Sequence, residues 1–102
     1  MDWAELIKMQ APEIDDYTCV YAAELAQALE SRGAFDLGAE IICSTSNIMF
    51  SLSPHTIIHI YCDSLLPYHF YSKGVATFNQ SLPEILELID TNWSNIFGVK
   101  KP

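Results

Sequence analysis

The sequence predicts an α+β fold in two layers: an antiparallel sheet of four or five strands with two main helices packed on one of its faces, in the order α-α-β-β-β-β-β-α. Three observations predict it. Residues 16–32 and 81–97 repeat apolar side chains at helical spacing. Residues 39–79 change to a period of two, rich in β-branched and aromatic residues. The breaks within that middle stretch are short, so consecutive strands are expected to pair as a meander. At 102 residues the chain is read as one domain, 1–102, with room for a single core.

Taken in order, a short helix is expected at 2–10, interrupted by APEIDD, whose proline and paired aspartates offer an N-cap to the next helix. That helix, 16–32, contains four alanines and ends before Gly33, where a left-handed cap belongs. Tyr21, Leu25, Ala28 and Leu29 form its apolar stripe, leaving Glu24, Gln27 and Ser31 to solvent. Strands are expected at 39–44, 47–52, 56–62, 68–72 and 75–79. The Lys73-Gly74 connection has two readings, a hairpin turn or a glycine bulge in one long strand from Tyr68 to Asn79. Ser81, Pro83 and Glu84 make a capping-box start for a last helix, in which Ile85, Leu88, Ile89, Trp93 and Ile96 recur at helical spacing up to Gly98.

Charge narrows the classes of function. Thirteen acids against five bases give a net charge of −8, which repels nucleic acid and anionic membranes and favours a basic partner. Residues 1–40 hold nine of those acids and two bases, whereas residues 41–80 hold only Asp63 and Lys73. No run approaches the roughly 20 apolar residues of a spanning helix, and the acidic first residues do not resemble a signal peptide. Three cysteines, Cys19, Cys43 and Cys62, are an odd number with no C-x-x-C pair, which points to a reducing compartment and a cytoplasmic location.

The stretch HTIIHIYCD, residues 55–63, gathers two histidines, a thiol and a carboxylate, the materials of a zinc site or of a cysteine nucleophile. Strand geometry separates them. His55 and His59 share a face but stand about 13 Å apart, several times the roughly 4 Å between two ligands of one zinc ion. Cys62 points to the other face, among apolar neighbours, in an acidic chain that offers no electropositive pocket. Cys43 beside Ile41 and Cys19 on an alanine-rich helix read likewise as packed thiols. Glu13, Asp15 and Asp16 lack the spacing of a calcium loop, and no phosphate-binding or hydrolase motif is present. The expectation is a chain that is not an enzyme and carries no metal and no cofactor.

Sorting the strands by parity is more informative. Ile41, Cys43, Ile48, Phe50, Leu52, Ile58, Ile60, Cys62, Tyr68 and Phe70 fall on one face and are expected to meet the helices. The opposite face collects Ile42, Met49, Ile57, His59, Tyr61, His69 and Tyr71, with Ser44, Asn47 and Ser51 among them. A solvated sheet face ordinarily carries Lys, Glu and Thr, so this one calls for a cover: the first helix, a second copy in a homodimer, or another protein.

The leading expectation is a small acidic protein-binding module, an inhibitor or antagonist of a basic nuclease or nucleic-acid-binding protein, as immunity proteins and phage anti-defence proteins are. The alternative is a homo-oligomeric structural or small-ligand-binding subunit. The expected contact residues form two sets: Met49, Ile57, His59, Tyr61, His69 and Tyr71 on the sheet, and Asp15, Asp16, Glu24, Glu84, Glu87 and Asp90 for charge.

Overall fold

A computed structural model describes residues 1–61 and 66–102. Two helices, α1 (Trp3–Gln10) and α2 (Asp16–Ser31), lead through a 3-10 turn at Ala34–Leu37 into five strands. These are β1 (Glu40–Cys43), β2 (Ile48–Ser53), β3 (Thr56–Ile60), β4 (Tyr68–Ser72) and β5 (Val75–Gln80), followed by α3 (Leu82–Thr91) and α4 (Trp93–Phe97). Every neighbouring pair is antiparallel and the spatial order is β1-β2-β3-β4-β5, the meander that the short connections imply.

Register decides which side chains share a face. One row runs Ile41, Phe50, Ile58, Phe70, Thr77 across all five strands. Phe50, Ile58 and Phe70 in it are buried in one cluster with Ile7 of α1, Leu25 and Leu29 of α2, Ile85 and Ile89 of α3 and Trp93 of α4. That row is the helix-facing side. Tyr68 ties the layers together, its hydroxyl donating to the Tyr21 carbonyl of α2 at 2.7 Å. Its burial pushes the phenol pKa well above the ordinary value, so the group stays protonated as a donor.

Local chemistry accounts for the helix ends. Asp15 caps α2 by accepting from the Thr18 amide and the Thr18 hydroxyl, both at 2.9 Å. Gly33, at φ +75°, takes the left-handed position that closes it. At α3 the capping box is complete: Ser81 Oγ accepts from the Glu84 amide, and Glu84 Oε1 accepts from the Ser81 amide.

Several expectations are corrected. The final helix is two helices, because Asn92 leaves helical geometry at φ −104°, ψ 16°. Its backbone and side-chain amides both donate to the Leu88 carbonyl, side-chain competition that ends α3 and turns Trp93 into the core. β3 ends at Ile60, two residues early, and His55 lies in the turn before β3 rather than on the strand, its ring bonded to Ser53 Oγ and Thr56 Oγ1. Cys62 and Asp63, with the expected core position of Cys62, lie outside the described residues. Of the two readings of Lys73-Gly74, the hairpin holds: Ser72 pairs with Val75, and Lys73 and Gly74 both have positive φ, the signature of a type I′ turn. The bulge is elsewhere, near Asn79, where β5 spends three residues against two of β4 and Asn79 adopts φ +58°.

Candidate protein-contact surfaces

The face turned away from the helices carries two further rows set by the same register: Ile42, Met49, His59, His69, and beside it Glu40, Ser51, Ile57, Tyr71, Ala76. All six sheet residues expected from parity lie on this side of the sheet. Five rings on it form a closed circuit. Tyr61 stacks on His59 at 5.9 Å, and His59 meets Tyr71 edge-on at 5.6 Å. Tyr71 meets Phe78 at 5.7 Å, Phe78 meets His69 at 5.2 Å, and His69 returns to Tyr61 at 4.4 Å. Contacts of this geometry contribute roughly 0.5–1.5 kcal/mol each beyond the area they bury, so the rings hold one another in place. Partial burial and the adjacent Tyr61 raise the Tyr71 phenol pKa, keeping it a neutral donor.

Phe78 is a member of this circuit that periodicity does not assign. With the turn at Lys73-Gly74 fixed as two residues, Tyr71 pairs with Ala76, and counting two further along β5 puts Phe78 on the ring side. The competing long-strand reading hides that register. Beside the circuit, Ile42, Ser44, Asn47, Met49, His59 and Tyr61 border a depression of about 350 Å³.

The first helix does not cover these rings. It packs on the other side of the sheet, with Ile7 in the core, Trp3 stacked on Phe35 at 5.1 Å and the Trp3 indole N–H donating to Glu30 at 3.2 Å. Ile42, Tyr61 and Phe78 remain 43, 45 and 51 % exposed.

The six acidic candidates lie on the helices or their caps, not on the aromatic face. They are not gathered into one cluster. Asp15 and Glu84 are caps, Asp16 is almost fully exposed 3.5 Å from Lys8, and Glu24 and Glu87 are exposed on α2 and α3. Asp90 is the most committed of them. Its carboxylate accepts from Arg32 Nε at 2.9 Å and Nη2 at 3.2 Å, and Lys101 Nζ stands 3.4 Å away. The hydrogen bond from Arg32 holds the Asp90 carboxyl below its ordinary pKa against the opposing effect of burial.

Among the described residues, no group of three or more His, Cys, Asp or Glu side chains is placed to hold a metal ion. Burial raises the pKa of the Cys19 and Cys43 thiols, the direction opposite to that of a reactive thiolate. No described helix is long and apolar enough to cross a membrane. No protein-family model, curated protein or solved structure matches this chain.

Proposed function

We propose that this protein is a small, acidic, non-catalytic protein-binding module that acts in the cytoplasm as an antagonist of a basic, nucleic-acid-handling protein, in the manner of an immunity protein or a phage anti-defence inhibitor. One observation carries the reading: the molecule keeps two chemically different surfaces back to back. The sheet offers uncharged rings, with Glu40 the one carboxylate in its paired rows. The helices offer carboxylates with few cations to neutralise them, since Lys8, Arg32 and Lys101 already sit against Asp16 or Asp90. Aromatic, charge-poor surfaces are the composition of interface centres, while a field of one sign steers a partner of the other and competes with the phosphates it binds.

The test is recovery of the partner from the cells that make this protein, followed by inhibition measured with the purified pair. The partner is expected to be basic, and its binding to or cleavage of nucleic acid is expected to fall as this protein is added. Affinity should weaken as salt is raised, and joint Glu24→Lys and Glu87→Lys substitution should slow association roughly tenfold. A partner whose nucleic-acid activity is untouched, or a complex indifferent to salt, refutes the proposal.

A further inference from the structure

We infer that the aromatic sheet face is occupied by a second copy of this chain, packed sheet to sheet, leaving the acidic helices of both copies outward. The inference rests on the reading that this face is a contact surface, but it names a different occupant from the basic partner.

Charge argues for a second copy. A chain of net charge −8 repels itself wherever its carboxylates face each other. Apart from Glu40 at one end of β1, the paired rows of the sheet face, from Ile42 and Met49 to Ile57 and Tyr71, present no carboxylate, ammonium or guanidinium. Two copies can meet there without opposing like charges. A basic partner gains no electrostatic attraction from the same rings, because the exposed carboxylates Glu24 and Glu87 lie on the helix layer.

Chemistry and size agree with that choice. A two-fold interface sets one patch against itself, residue i meeting residue j and j meeting i, so the patch must be complementary to itself as a whole. Tyrosine hydroxyls and neutral imidazoles both donate and accept, and aromatic edges pair with aromatic faces. Five strands about 4.8 Å apart, each some five residues of about 3.3 Å, span on the order of 400 Å² in plan before side-chain relief adds to it. Interfaces that bury less than about 600 Å² per partner are weak or transient, so the expected dimer is concentration-dependent rather than obligate. Two such sheets would lie about 10 Å apart.

Sedimentation velocity on the full chain, from low micromolar to near-millimolar concentration and at low and moderate salt, tests this. The expected result is a mass that doubles with concentration, and a dimer that tightens as salt screens the mutual repulsion, opposite in sign to the salt response of a complex with a basic partner. Phe78→Lys and Ile42→Lys place charges on exposed positions of the face and should each shift the midpoint of association at least tenfold upward, with unchanged circular dichroism. Val20→Lys, at an exposed position of α2, should leave it in place. A monomer at every concentration overturns the inference, as does a dimer that survives both face substitutions or is lost equally with Val20→Lys. If the protein stays monomeric while Phe78→Lys abolishes inhibition of a basic partner, the second copy is excluded and the protein-binding reading stands.

Discussion

Asp90 and Arg32 show how one residue pair can join two helices in a chain with few cations to distribute. The forked guanidinium at the end of α2 meets both oxygens of a carboxylate on α3, each side chain about a quarter exposed. Charge-assisted bonds of this geometry, partly shielded from water, contribute about 1–2 kcal/mol. Because the folded-state pKa of Asp90 is lowered from 3.8, the pair's stabilisation is fully present above that value and is lost as pH falls through the folded-state value. Asp90→Asn should therefore lower the urea midpoint at neutral pH, and the gap from wild type should narrow progressively below about pH 4. A gap that stays constant in acid would contradict the assignment. Asp90 also shows the limit of charge patterning, which counts it as a carboxylate available to a partner. Only the placement of Arg32, 58 residues away in sequence, makes it an internal link.

At the scale of elements, helices and strands were legible wherever local chemistry agreed with periodicity. Asp15, Gly33, Ser81 and Glu84 are caps that their types and spacing announce, and the observed ends fall within a residue of the expected ones. The hairpin at Lys73-Gly74 was less legible because lysine is an uncommon choice at a position requiring positive φ. Lys73→Asn suits that conformation and should raise stability by roughly 0.5 kcal/mol, whereas Gly74→Ala should lower it by about 1 kcal/mol. The cause in the second case is conformational: a Cβ at Gly74 would meet nothing within 4 Å, but φ is +82°. Thermal melting of the two variants checks both signs. The break at Asn92 has no comparable local announcement, since apolar spacing continues across it from Leu88 and Ile89 to Trp93 and Ile96.

At the scale of the whole molecule, one core serves both layers. Trp93 is 1 % exposed in the same buried cluster as Phe50 and Ile58 of the sheet and Leu25 of α2. Trp93→Ala should cost about 3–5 kcal/mol, a large share of the roughly 5–15 kcal/mol available to such a chain. Because the cluster is shared, the loss should lower one cooperative transition seen alike by helical circular dichroism and by tyrosine fluorescence. Separate transitions would show that α4 melts on its own. The candidate contact surfaces depend on the same architecture. The aromatic side of the sheet was readable as a set, because parity assigns strand residues to faces before any pairing is known.

By itself the sequence determined the order of the first two helices and the five strands, the caps, the two-face composition of the strands and the excess of acid, since each follows from local spacing and residue type. Tertiary structure alone decided that α1 packs away from the rings, that Phe78 closes the circuit with Tyr61, His59, Tyr71 and His69, and that Asp90 is tied to Arg32. The physical reason is that these depend on register and on which face each helix buries. Both are settled by packing between residues far apart in the chain, and no local pattern records them.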